Sequence, residues 1–87
     1  MSGSENLSSE VSFNKVNSTE EFGRLISLCR QSQQINQRDL AEIIGRSHVY
    51  IRDVETGKPT ANWGGVLQML DELGIEIYLQ LPDDVDS

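Results

Sequence analysis

Two short amphipathic segments that meet at one glycine constrain the fold of this chain more than any other feature. Residues 36–57 have the sequence NQRDLAEIIGRSHVYIRDVETG. Asn36 is a good helix N-cap, Gly45 ends the first segment after about two turns of helix, and Ser47 caps the second. Glycine tolerates the positive φ that a sharp turn between packed helices requires. The pattern therefore predicts two helices joined by a tight turn. Their predicted contacts are Leu40, Ala41, Ile44, Ile51 and Val54.

The second of these helices is expected to expose a set of side chains that suits the major groove of DNA. These residues are His48, Val49, Tyr50, Arg52 and Asp53, and Ser47 at the helix cap is a further predicted DNA contact. His48 has no partners at metal-ligand spacing, so it is either a base or phosphate contact or a plain surface residue. Val49 either packs on a thymine methyl or is simply exposed. Tyr50 either contacts phosphate through its hydroxyl or covers the interface between helices.

Basic side chains in the same region are candidate phosphate ligands. Arg38 faces outward at the start of its helix, and Lys58 follows the end of the next one. Arg46 is expected to point to solvent or phosphate. Asp53 can accept a hydrogen bond from cytosine N4, or it can pair with a neighbouring arginine.

Two further helices flank this pair. Ser18 and Glu21 form an S-x-x-E capping box before a helix with one apolar stripe. The stripe consists of Phe22, Leu25, Ile26 and Cys29. The fourth helix is expected from about residue 62 to residue 73. Its predicted buried stripe consists of Trp63, Val66, Leu67, Leu70 and Leu73.

The segment IEIYLQL, residues 75–81, alternates aliphatic with other side chains and predicts a β-strand. A lone strand leaves its hydrogen-bonding groups unpaired, and a second chain can supply the partner. The expected fold is mainly α, with four helices and a carboxyl-terminal strand paired across a dimer. A shorter strand is expected near residues 11–16. The predicted dimer contacts are Trp63, Ile75, Ile77, Leu79 and Leu81.

The charge pattern divides the chain into three parts. Net charge is -7, yet residues 24–58 carry six basic and four acidic side chains, whereas residues 59–87 carry six acids and no base. Residues 1–10 are expected to form a disordered arm, residues 11–81 the folded domain, and residues 82–87 an acidic tail. No signal-peptide or membrane-spanning pattern is seen, so a cytoplasmic protein is expected. No cofactor, metal or catalytic constellation is expected.

The spaced residues from Gln37 to Gly57 resemble the Xre/Cro-type repressor helix-turn-helix. The matching pattern is Q-x-x-L-A-x-x-x-G-x-S-x-x-x-I-x-x-V-E-x-G. The resemblance implies that Gln37 contacts phosphate and buttresses the start of the recognition helix. It also implies a structural ion pair between Arg30 and Glu55. Two positions depart from the family: Arg46 replaces an apolar turn residue, and Asp53 replaces a neutral polar one.

The flanking segments resemble HipB antitoxins. The residues concerned are 12–16, the first helix, the fourth helix and the closing LGIEI of residues 73–77. The resemblance implies a dimer that binds operator DNA, represses its own operon and binds a HipA-type kinase toxin. Two alternatives remain open. One is a solitary Xre-family regulator, and the other is a toxin-binding scaffold without strong DNA affinity, which the acidic charge favours.

Overall fold

Four α-helices form the folded part of the chain in a computed structural model that describes residues 12–85. The helices are α1 (Thr19–Ser32), α2 (Gln37–Ile44), α3 (His48–Glu55) and α4 (Trp63–Leu73). The mainly α fold predicted from the sequence is therefore confirmed. The expected arm of residues 1–10 lies outside the described residues.

Each helix begins at a side chain that caps it. Ser18 accepts a hydrogen bond from the backbone N–H of Glu21 at 3.0 Å, and the Glu21 carboxylate accepts from the N–H of Asn17 at 2.8 Å. Asn36, Ser47 and Asn62 likewise accept from the N–H three residues on. These bonds satisfy backbone donors that have no partner inside the helix. The cap residues thus determine where each helix starts.

Gly45 makes the turn between α2 and α3. Its φ of 73° lies in the left-handed region, where a side chain would be strained. The turn brings the start of α3 back against α2 and fixes which side of α3 faces outward.

The core lies between two pairs of helices, because α1 and α2 each pack against α3 and α4. Its fully buried large side chains are Ile26, Leu40, Ile51 and Met69. Gly23 lets α1 approach α3 closely, since a Cβ there would lie 2.6 Å from the carbonyl oxygen of Glu55. The crossing of α1 and α3 therefore depends on the missing side chain.

The buried face of α4 differs from the sequence prediction. Trp63 is 57% exposed and Leu67 is 46% exposed, whereas Met69 is fully buried. The inward positions are Val66, Met69, Leu70 and Leu73, which are spaced by three, one and three residues. Trp63 and Leu67 lie beside this stripe rather than in it. The prediction that they are buried within the domain was wrong.

Neither expected strand is formed within residues 12–85 of this single chain. A strand requires a ladder of hydrogen bonds to a neighbour. Residues 75–81 follow Gly74, whose φ of 75° ends α4. A strand that pairs across two subunits therefore stays a prediction. No helix in the described residues has the length and apolarity to cross a membrane.

Candidate nucleic-acid interface

The outward side of α3 combines an apolar side chain with a cation and forms the centre of the candidate surface. Val49 is 49% exposed, and the side chain of Arg52 is also largely exposed. Ser47 uses its hydroxyl to accept the N–H of Tyr50 at 3.0 Å, which anchors the first turn. These positions are the ones that a helix lying in a major groove places against base edges and phosphates.

A chain of hydrogen bonds holds the start of α3 against α2. Arg30 donates from Nε to Glu55 Oε2 at 2.6 Å and from Nη2 to Glu55 Oε1 at 3.0 Å. Gln37 donates from Nε2 to Glu55 Oε1 at 2.9 Å, and its Oε1 lies 3.1 Å from His48 Nε2. Three helices are therefore linked through side chains that end at the first residue of α3.

The ion pair at the root of this chain is buried. The side chains of Arg30 and Glu55 are 9% and 4% exposed. Arg30 also donates from Nη1 to the carbonyl oxygen of Ile35 at 2.7 Å. Both residues are thus enclosed within the fold rather than presented on the surface, in the arrangement that the resemblance implied.

An open cleft lies where the starts of α2 and α3 meet. It measures about 450 Å³ and is lined by Arg30, Asn36, Gln37, Arg38 and His48. Arg38 is exposed and His48 is half-buried at this cleft. The cleft therefore places a cation beside the first residue of α3. The phosphate contact expected for Gln37 stays a prediction.

Asp53 lies between two cations at the other end of α3. Its Oδ2 is 3.5 Å from Nζ of Lys58, and its Oδ1 is 4.0 Å from Nη2 of Arg52. All three side chains are partly exposed, so these pairs contribute little to stability. Asp53 thus pairs with the neighbouring Arg52 as expected, but Lys58 lies closer to its carboxylate. A role for Asp53 at a base edge remains open.

Tyr50 covers the interface between helices, which is one of its two predicted roles. Its hydroxyl donates to the carbonyl oxygen of Asn62. Its ring lies over Gly65, where a Cβ would be 2.6 Å from Tyr50 Cζ. Burial raises the pKa of Tyr50, while the nearby charge of Arg46 lowers it. Because the hydroxyl proton is donated within the chain, the predicted phosphate contact of Tyr50 is corrected to a structural contact.

Arg46 packs against the domain while remaining partly exposed. Its guanidinium carbon is 5.2 Å from the centroid of the Tyr50 ring, and its Nε donates to Gln68 Oε1 at 3.0 Å. The phosphate contact expected for Arg46 stays a prediction. Arg46 connects the turn between α2 and α3 to α4.

The sequence analysis missed Gln68 and Gly65 as partners in this contact. Glycine inside a helix costs about 1 kcal/mol relative to alanine. A glycine at such a position indicates that a side chain from another element packs closely against the helix. Gly65 carried this signal, although its partner Tyr50 lies fifteen residues away in the sequence. Gln68 carried no signal in the sequence.

The residues predicted to contact a second subunit are mostly exposed in the single chain. Trp63 stacks on Phe22 with ring centroids 6.1 Å apart and is nevertheless more than half exposed. Ile75 packs on the edge of the core. Three further aliphatic residues, Ile77, Leu79 and Leu81, are exposed, and Leu79 is 79% exposed. Their role in a dimer is taken up below as a proposal.

Comparison with known proteins agrees with this geometry. The chain is 36% identical over 70 residues to the uncharacterized HTH-type transcriptional regulator y4mF of Sinorhizobium fredii, a match that covers 80% of this chain and 92% of the relative. No protein-family model matches the chain.

Solved structures of HipB share the fold. A serine-to-alanine variant of HipB in complex with the O2 20mer superposes with a TM-score of 0.73 at 25% identity, covering 79% of this chain and 96% of the other. HipB in a complex with HipA, O2 and O3 gives a TM-score of 0.72 at 24% identity, with 78% and 96% covered.

The fold and this surface define a helix-turn-helix DNA-binding protein. The capped α2–turn–α3 unit, with α3 held outward by the Arg30–Glu55–Gln37–His48 chain, is the defining part. The chain belongs to the family of HTH-type transcriptional regulators, and it has the fold of the antitoxin HipB.

Proposed function

We propose that this regulator is a sequence-specific repressor that binds operator DNA as a homodimer and controls its own operon. The observation that carries the proposal is the exposed side of α3. Val49 and Arg52 face outward there, Arg38 lies beside the first turn, and Lys58 follows the last turn. Cations contribute sequence-independent affinity through phosphates, while contacts to base edges supply specificity.

The charge distribution supports an orientation for the bound domain. The acidic side chains after residue 58 include Asp71, Glu72 and Glu76, all exposed on or just after the last turn of α4. Like charges near DNA weaken binding, so these acids are expected to face away from the phosphates. The net charge of -7 is then compatible with DNA binding through the centre of the chain.

The exposed apolar segment at residues 75–81 supports a homodimer. Its aliphatic residues alternate, and a second copy would supply the missing ladder and cover an edge that would otherwise promote aggregation. The four aliphatic side chains, one in every two residues, would share one face of the joint sheet. Such a sheet would also fix the distance between the two copies of α3.

A HipA-type kinase toxin is the proposed protein partner. Support comes from the likeness to HipB, which one of the similar structures contains together with HipA. The acidic flank formed by Asp71, Glu72 and Glu76 offers a surface for a basic patch of the partner. Complementary charge of this kind speeds encounter and fixes register more than it adds affinity. The competing explanation is that these acids only maintain solubility.

Two experiments test this function. In a gel shift, labelled DNA from upstream of the gene should bind the full chain. No shift at low salt would favour the scaffold without DNA affinity, for which the net negative charge is the supporting observation.

In the second experiment, the neighbouring gene product should co-purify with the full chain and with a version that ends at Pro82. Loss of the partner from the shortened chain alone would assign docking to the acidic tail instead of the flank. If neither version retains a partner, the chain is a solitary regulator.

A further inference from the structure

The hydrogen bonds that link Arg30 to His48 have a defined direction of donation. The Glu55 carboxylate accepts from two guanidinium nitrogens of Arg30, and an ionised carboxylate can only accept. Its Oε1 also lies 2.9 Å from the side-chain amide of Gln37. Gln37 must therefore present its NH₂ group to Glu55, which leaves its carbonyl oxygen facing the other way.

That oxygen determines where the proton of His48 lies. Gln37 Oε1 is 3.1 Å from His48 Nε2, and an amide oxygen only accepts hydrogen bonds. Nε2 must then carry the proton. In a neutral imidazole the second nitrogen, Nδ1, is consequently an acceptor. The buried ion pair thus determines which nitrogen of His48 donates and which accepts. The His48 ring is half-buried at the open cleft of about 450 Å³.

We propose that this relay, defined as Arg30, Glu55, Gln37 and His48, determines the base preference of the first residue of α3. With Nδ1 as an acceptor, His48 recognises an exocyclic amino group in the major groove, N4 of cytosine or N6 of adenine, and discriminates against the acceptors N7 and O6 of guanine. Gln37 and Glu55 act as positioning residues. The base preference rests on the proposed DNA binding, whereas the proton position does not.

The relay predicts that one substitution releases the ring. Gln37→Leu keeps a side chain of similar size but offers no acceptor to Nε2, so both neutral tautomers of His48 become accessible. With the proton on Nδ1 the ring donates, and N7 or O6 of guanine becomes a suitable partner. The variant is expected to lose about fivefold, the effect of a single hydrogen bond, in the discrimination of cytosine or adenine from guanine.

The proton position can be measured directly because the chain has one histidine. Imidazole ¹⁵N spectra of the untagged full chain at pH 9, where imidazoles are neutral, should show Nε2–H. Gln37→Leu should show a mixture of Nε2–H and Nδ1–H, because the link is cut. Nδ1–H in the unaltered chain, or an imidazole spectrum that is unchanged in folded Gln37→Leu, would overturn the relay.

A second measurement follows the exchange of the same proton with water. The hydrogen bond to Gln37 should slow exchange of the Nε2 proton with water, so its resonance should be visible in the unaltered chain and lost in Gln37→Leu. Gln31→Leu is the matched control, since Gln31 is exposed and its side chain bonds only to Ser27 among the described residues. A resonance that survives in Gln37→Leu, or is lost in the control, would contradict the relay.

Selection from DNA with a randomised half-site then tests the base preference. One position should prefer cytosine or adenine with the unaltered chain and should also accept guanine with Gln37→Leu. An unchanged preference would refute the link between relay and base. If no DNA binds at all, the base preference and the proposed function fail together, while the spectra still report on the relay alone.

Discussion

Removing Glu55 should strongly destabilise this domain, and removing Arg30 with it should restore much of the lost stability. In Glu55→Leu the guanidinium of Arg30 loses both bonds to the carboxylate and keeps only its bond to the carbonyl oxygen of Ile35. The site is largely shielded from water, because the two side chains are 9% and 4% exposed and only Arg30 reaches the edge of the cleft. The unpaired charge would therefore remain buried.

The expected loss follows from that burial. Deleting one partner of a buried ion pair costs about 3–5 kcal/mol, whereas replacing both partners by apolar residues of similar volume is often close to neutral. A domain of this size has a total stability of about 5–10 kcal/mol. Glu55→Leu should thus lose about half of it. The double variant Arg30→Met/Glu55→Leu should lie within about 2 kcal/mol of the unaltered chain.

Urea denaturation at one fixed protein concentration measures these differences, because dimerisation would make stability depend on concentration. The double-mutant cycle isolates the coupling between the two residues. Two results would refute the reasoning. One is a loss below about 1 kcal/mol for Glu55→Leu, and the other is a double variant as unstable as the single one.

Four further predictions concern the crossing of α1 and α3, one cation and one carboxylate of the DNA surface, and the dimer. Gly23→Ala should lose about 1–3 kcal/mol through overpacking, because its Cβ would lie 2.6 Å from a backbone oxygen. Gly64→Ala is the control, since its Cβ would lie 3.2 Å from the side-chain oxygen of Asn62 instead of closer to backbone, and equal urea midpoints would contradict the argument. Lys58→Ala should weaken binding to every DNA sequence and reduce the log–log salt slope by about one in gel shifts, and an unchanged slope would exclude a phosphate contact. Asp53→Ala should relax the preference at one base pair by about 1–3 kcal/mol, whereas equal strengthening on all sequences would identify a merely repulsive carboxylate. Ile77→Lys should yield monomers in sedimentation, and a persistent dimer would place the interface elsewhere.

Local signals predicted the helices well. The caps at Ser18, Asn36 and Ser47 and the glycines at 45 and 74 act on backbone groups within a few residues, so the sequence alone contains the whole interaction. The spacing of apolar residues in α2 and α3 likewise identified Leu40 and Ile51 as core residues.

Contacts between distant elements could not be predicted in the same way. Met69 is buried and Leu67 is not, because the tilt of α4 against its neighbours selects one of two overlapping apolar stripes. Tyr50 and Arg46 pack on α4 because Gly65 leaves space and Gln68 offers an acceptor. None of these pairings changes the periodicity of either helix, so no pattern within one segment indicates them.

The most direct test of the account is a footprint of the purified chain on DNA from upstream of its gene. A two-fold dimer with α3 in the major groove should protect a palindromic site whose half-sites lie about one helical turn, roughly 34–36 Å, apart. Protection should weaken steeply as salt is raised, because Arg38, Arg52 and Lys58 are expected to release counterions from phosphates. Protection of one asymmetric half-site would contradict the dimer, and no protection at low salt would contradict DNA recognition through α3.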